Sequence, residues 1–167
     1  SAHGDREFGH IMTKMNLNRK VVVGHWQDEK VIEKINIWTR VAAGRYVMQH
    51  MKVVRFGDNM RQVAVTDGDK VSAEMKFGFS VNTHGVGELS EVINQVAASE
   101  INHLMDEYES SYNLMSSLLK GGEKRSSLVE AARIELGIGK FLKDGGYSAY
   151  TNTFEDLHGM RQLPGIG

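Results

Sequence analysis

The sequence predicts an α/β fold, a helix-rich layered arrangement around a small, mainly parallel sheet, and three observations carry that prediction. β-prone runs (KVVVGHW 20–26, MKVVRFG 51–57, FSVNTHGV 79–86 and YSAYTNTF 147–154) alternate with segments whose apolar residues recur every three or four positions. Strand candidates are few for 167 residues, so helices dominate. Turn signals, among them the acidic TDGD (66–69) and Gly145-Gly146, separate the periodic segments.

In chain order, Asp5 is expected to cap a short helix carrying Phe8, Ile11, Met12 and Met15. A turn over 16–20 then leads into the buried strand 20–26. Asp28 caps a second helix with Val31, Ile35, Trp38 and Val41 or Ala42 on one stripe, ending at Gly44. After strand 51–57 and the acidic turn, residues 69–77 read as a short helix and 79–86 as a strand. Leu89, Val92, Ile93 and Val96 form one helical stripe. Ser99 caps another that carries Ile101, Leu104, Met105, Tyr108, Tyr112 and Met115. The run 116–127 is a loop, and Ser127 with Glu130 makes a capping box. The helix beyond it carries Ala131, Ile134, Ile138 and Phe141 and stops at Gly145-Gly146. Strand 147–154 and an irregular tail containing Pro164 complete the chain.

Composition excludes several functions. Lys+Arg 20 against Asp+Glu 21 leaves a formal charge of -1, which lacks the basic excess a nucleic-acid binder needs to displace counterions. With Cys 0, disulfides, cysteine nucleophiles and zinc fingers are ruled out. No apolar run approaches the roughly 18 residues of a membrane span. The polar start SAHGDREFGH has no initiator Met and no signal-peptide core, so a cytoplasmic fragment or processed chain is expected.

The motifs that carry chemistry are sparse. G-D-N-M-R-Q after strand 51–57 is not a dinucleotide fingerprint, and Asp58 would repel a pyrophosphate. Gly137-Ile-Gly139-Lys140 fails as a phosphate loop, because Ile134 stands for its first Gly and Phe141 for its hydroxyl residue. No G-x-S-x-G elbow presents a serine. Glu155, Asp156 and His158, and separately His3 with Asp5, are the residue types a hard divalent cation takes, but their spacing matches no helical metal motif. Asp58, Asp67 and Asp69 are expected to shape turns and caps. Trp26 and Trp38 are expected in the core. Ligands of open α/β sheets sit at the carboxyl ends of strands, which points to the FGDNM edge after strand 51–57.

Longer blocks are more specific. AHGDREFG (2–9), KVVVGHWQD (20–28), VRFGDNMRQVAVTDGDKVSAEMKFGFSVNTHGVG (54–87), AARIELG (131–137) and TFEDLHGMRQLPG (153–165) together resemble the L-arabinose isomerase family, in one register over almost the whole chain. The resemblance implies the fold of the fucose and arabinose isomerases. Residues 1–50 would be the end of an N-terminal α/β domain and 51–167 most of a central α/β domain. It implies an aldose-ketose isomerase converting L-arabinose to L-ribulose, and D-galactose to D-tagatose. Mn²⁺ is the implied cofactor, the substrate is a small sugar, and the full-length enzyme is a homo-oligomer.

Three positions match family residues that line the sugar pocket: His3, reaching a neighbouring subunit's substrate, and Met60 and Phe154 as apolar walls. The family's acid/base glutamates and metal-binding histidines match nothing in this chain, which on that ground is expected to be inactive alone. His10 and His84 stand where the family carries aromatics. Two alternatives remain: a stand-alone, non-catalytic sugar-binding or assembly domain, and an unrelated α/β hydrolase or transferase centred on FEDLH (154–158).

Overall fold

In the computed structural model, which describes residues 2–165, the periodic segments near the N-terminus form two helices, α1 (Ala2–Lys14) and α2 (Glu29–His50). The chain folds as two compact units, the first ending at Val47 and the second beginning at Met48.

In the first unit, α1 begins at Ala2, so Asp5 sits inside its first turn rather than capping it. Asp28 does start α2: its carboxylate accepts the Lys30 amide at 2.9 Å and its carbonyl accepts that of Val31. The helix runs through Gly44, because one interior glycine costs only about 1 kcal/mol while the hydrogen-bond ladder continues around it. The expected strand 20–26 does not form. No strand lies beside it among the described residues of this unit, and a strand without a partner leaves its backbone groups to water. Val21, Val23 and Trp26 are exposed, Trp26 by 73%, and Trp38 is exposed on α2 beneath the Lys20 ammonium. Neither tryptophan is a core residue. Val31 is the one buried hydrophobic residue of this unit among those described.

The second unit is built on three parallel strands, β1 (Lys52–Phe56), β2 (Ser80–His84) and β3 (Ala149–Asn152), with β1 in the middle. Val54 faces Asn82 and Tyr150 across the two ladders, and Phe56 faces His84 and Asn152. Side chains alternate along a strand, so the shielding of Val54 and Phe56, both 0% exposed, turns Arg55 to the opposite face.

Between β1 and β2 lies α3 (Lys70–Phe77). The Asp69 carboxylate caps it by accepting the Ser72 amide at 2.9 Å and the Ser72 hydroxyl at 2.7 Å, and Gly78 ends it in a left-handed conformation. These two bonds from Ser72 hold the Asp69 carboxyl below its ordinary range.

The long helical region resolves into α4 (Val86–Asn94), α5 (Ala98–Ser111) and α6 (Arg125–Gly145). The first two begin alike: Glu88 accepts the Gly85 amide and Glu100 the Ala97 amide, each at 3.1 Å. That places Ser99 in the first turn of α5 and not at its cap. Tyr112 and Met115 lie beyond the end of α5 and are exposed. Helix α6 starts before Ser127, so the expected capping box is absent; Glu130 instead meets Arg133 at 3.3 Å and Arg161 at 3.6 Å.

Two buried clusters follow from these stripes. Val54, Phe56, Leu89, Ile93, Ile134 and Ile138 pack sheet against α4 and α6. Val96, Ile101, Leu104, Met105, Leu128 and Ala132 join α5 to α6, where the Tyr108 hydroxyl donates to Glu135. Burial, followed by that carboxylate, pushes the Tyr108 phenol well above its ordinary pKa. His84 fills an aromatic position: its ring meets Phe141 and Tyr147 edge-on, while its nitrogens reach the Tyr147 hydroxyl at 2.8 Å and Glu88 at 2.9 Å. No helix among the described residues is long and apolar enough to cross a membrane.

Candidate ligand cavity at the carboxyl ends of the strands

Beyond the carboxyl ends of β1 and β3 the second unit forms an open cavity of about 490 Å³. This is where open α/β sheets hold ligands, and the size lies within the common range for small-molecule sites. The segment following β1 contributes Asp58, Asn59 and Met60, and the segment following β3 contributes Thr153 and Phe154. Arg55 and Thr151 approach it from the strands, and Asp69 and Lys70 from the start of α3.

The sequence dictates much of the β1 side. Arg55 donates to the Asn59 side-chain oxygen at 2.8 Å and to Asp58 at 3.2 Å. The Asp58 carboxylate also accepts the Asn59 amide at 2.8 Å, and the Asn59 side-chain amide donates to Asp67 at 2.9 Å. Asp58 and Asn59 therefore shape the turn, as expected from their residue types. The turn begins at Gly57 with φ +81° and passes Gln62, a non-glycine residue with φ +61°.

The FEDLH segment holds this turn from the other side. Thr153 precedes a short 3-10 turn, Phe154–Asp156. The Asp156 carboxylate accepts the Asp58 amide at 2.9 Å and the Arg61 guanidinium at 2.8 Å, and Glu155 accepts the Arg61 amide at 2.8 Å. The Asp58 amide first, then Arg61, keeps the Asp156 carboxyl below its ordinary range. The two segments touch closely at Gly57, where an added Cβ would lie 2.9 Å from that of Asp156. Gly57→Ala meets both this contact and an unfavourable φ, and the left-handed conformation alone costs about 1–2 kcal/mol. The variant is expected to lower the urea midpoint accordingly with an unchanged m-value, whereas Gly68→Ala, with open space around it, is expected to leave it in place.

Of the three sequence-predicted site residues, the fold brings two together. Met60 is half-buried and Phe154 is 64% exposed, and both line the cavity although they lie far apart in the chain. His3 is exposed on α1 in the first unit. Glu155 and Asp156 do not form a metal centre, since their oxygens face Arg61 and backbone amides. Among the described residues no three His, Cys, Asp or Glu side chains cluster as ligands. The described residues therefore do not fit a Mn²⁺ ion.

Sequence reasoning missed Arg55 and Thr153. The Arg55 Nε and the Thr153 hydroxyl are buried without a hydrogen-bond partner among the described residues. A charged residue between the β-strand core positions Val54 and Phe56 was the available signal for Arg55. None marked Thr153.

Comparison with known proteins adds the family. A family model of the L-arabinose isomerase central domain matches residues 52–167, and one of the L-arabinose isomerase N-terminal domain matches residues 1–50. Proteins named L-arabinose isomerase from Escherichia fergusonii and Shigella flexneri serotype 5b are each 55% identical over 166 residues, and one from Enterobacter sp. strain 638 is 54% identical. Each alignment covers 99% of this chain and 33% of the relative, so the chain spans a third of the length of these curated relatives. With both family models matched in order along the chain, this chain belongs to the L-arabinose isomerase family.

Proposed function

We propose that this chain supplies apolar and hydrogen-bonding walls of the sugar pocket in a cytoplasmic aldose-ketose isomerase acting on L-arabinose, and also on D-galactose. The observation that carries the reading is that Met60 and Phe154, matched to pocket residues by resemblance, line one cavity at the carboxyl ends of β1 and β3. The cavity suits a sugar. Met60 and Phe154 offer apolar contact to C–H faces, while the exposed side chains of Asp58 and Lys70 offer polar groups for hydroxyls. Residues 1–50 close the N-terminal domain and 51–167 form most of the central domain. An apolar stripe left exposed on α2 (Ile32, Ile35, Trp38) suits a segment that packs into a larger domain. The full enzyme is a homo-oligomer in which His3 reaches a neighbour's pocket, a role compatible with its exposure on α1. Mn²⁺ is its cofactor, held by residues other than those described.

The chain alone forms no ketose. Aldose-ketose isomerisation moves a proton between adjacent carbons and needs a positioned general base to take it. The family's acid/base glutamates and metal-binding histidines match nothing in this chain.

Titration with L-arabinose is the test, followed through the Met60 methyl resonance in protein labelled at its methionine methyl carbons, with a ketose assay alongside containing Mn²⁺. The expected result is a saturable shift at Met60, weakened in Phe154→Ala, with no ketose formed. A Met60 resonance indifferent to the sugar would overturn the pocket reading. Ketose formed by the folded chain above a metal-free control would overturn the proposed division of labour.

A further inference from the structure

We propose that Arg61 and Asp156 are positioning residues of this cavity: they clasp the segment carrying Met60 to the segment carrying Phe154 and so set the separation of the two walls. The inference deepens the sugar-pocket reading and rests on it for the identity of the ligand.

Neither wall is rigid by burial. Met60 lies in a turn outside the hydrophobic clusters, and Phe154 is mostly exposed. Strand pairing of β1 with β3 brings the two segments side by side, and beyond the strand ends polar contacts fix the two walls. Arg61 follows Met60 directly, and Glu155 and Asp156 follow Phe154 directly. Between these neighbours run an Arg61–Asp156 ion pair at 2.8 Å, the Arg61 amide to Glu155 at 2.8 Å and the Asp58 amide to Asp156 at 2.9 Å. A weaker contact joins the Arg61 guanidinium to the Glu155 carboxylate at 3.7 Å.

Asp156 thus holds both ends of the Met60 turn at once, through Asp58 before Met60 and Arg61 after it. The left-handed residues Gly57 and Gln62 bracket the same turn. A conformation of that kind persists where its surroundings determine it, and the two carboxylates supply those surroundings. The Arg61 side chain is 65% exposed, so the pair contributes little to global stability, and its effect is local placement.

The test follows the methionine methyl resonances of the full chain in wild type, Arg61→Ala, Arg61→Lys and Asp156→Asn. Met105, buried in the second cluster, reports on the fold. The Met60 resonance is expected to move in Arg61→Ala and Asp156→Asn while Met105 stays in place. Arg61→Lys, which keeps the charge, is expected to return Met60 most of the way. L-arabinose titration is expected to show binding weakened about three- to fivefold in Arg61→Ala, the scale of one exposed ion pair, and recovered in Arg61→Lys.

An unmoved Met60 resonance in folded Arg61→Ala and Asp156→Asn overturns the clasp, as does saturable sugar binding of equal affinity in all four proteins. If Arg61→Ala also displaces Met105, Asp156→Asn, which keeps the side-chain shape, decides alone. Loss of the clasp signature and failure of the sugar reading are separable. Should L-arabinose leave Met60 unmoved in wild type while Arg61→Ala displaces it, the clasp stands and the sugar falls.

Discussion

Phe56→Ala is expected to destabilise the second unit by about 3–5 kcal/mol, the range for removing a fully buried aromatic ring. Phe56 is 0% exposed in the middle strand, meets Phe141 edge-on with ring centroids 4.9 Å apart, and has the tilted Tyr150 ring 6.4 Å away. Three layers meet at this ring: the sheet, α6 and the cluster that α4 completes. A small domain has only about 5–15 kcal/mol in total, so the variant approaches the limit of folding. The change is to be read as a urea midpoint by near-ultraviolet tyrosine signal, because both tryptophans lie in the first unit. Phe154→Ala is the contrast. Its ring is largely in solvent, and the midpoint is expected to move by no more than about 0.5 kcal/mol equivalent while sugar binding weakens. Equal destabilisation by the two variants would contradict the burial that separates a core phenylalanine from a wall.

Gly137→Ala is expected to destabilise the same unit by about 1–2 kcal/mol, although alanine is the better helix former. A Cβ at Gly137 would lie 2.4 Å from the Ile93 Cγ1 and 2.8 Å from the Ile93 Cα, so α4 would have to move away from α6. Overpacking of this kind costs about 1–3 kcal/mol, and a backbone atom cannot rotate aside as a side chain does. Against this stands a propensity gain of about 0.5–1 kcal/mol. Gly139, two positions along the same helix, has nothing within 4 Å of its would-be Cβ. Gly139→Ala is therefore expected to stabilise by the propensity gain alone. Opposite shifts of the two urea midpoints, with constant m-value, would verify the close crossing. Stabilisation by both would show that the helices do not approach at Gly137.

Local rules account for the elements that the sequence located correctly. The stripes Leu89–Ile93 and Ala131–Ile134–Ile138 are buried as their spacing requires, and Asp28 and Asp69 cap the helices they precede. Each depends on neighbours within one or two turns, which one sequence displays. The errors have separate causes. KVVVGHW has strand composition but no adjacent strand among the described residues of its unit, and pairing is a property of two segments, not one. Ser99 and Ser127 have good capping side chains, but α5 and α6 each begin before them: Glu100 reaches back to the Ala97 amide, and α6 starts at Arg125.

The site divides the same way. By itself the sequence determined the α/β class, the family, the strand end at Gly57-Asp58-Asn59, and Met60 and Phe154 as pocket candidates, because these reside in contiguous motifs. Only the tertiary structure decided that Met60 and Phe154 share one cavity, that Arg55 and Thr153 stand in its wall, and that Asp156 fastens to Asp58 and Arg61. The physical reason is the parallel sheet. Pairing β1 with β3 brings together two segments from distant parts of the chain, and a contact of that range leaves no periodicity, cap or turn signature in the residues that make it.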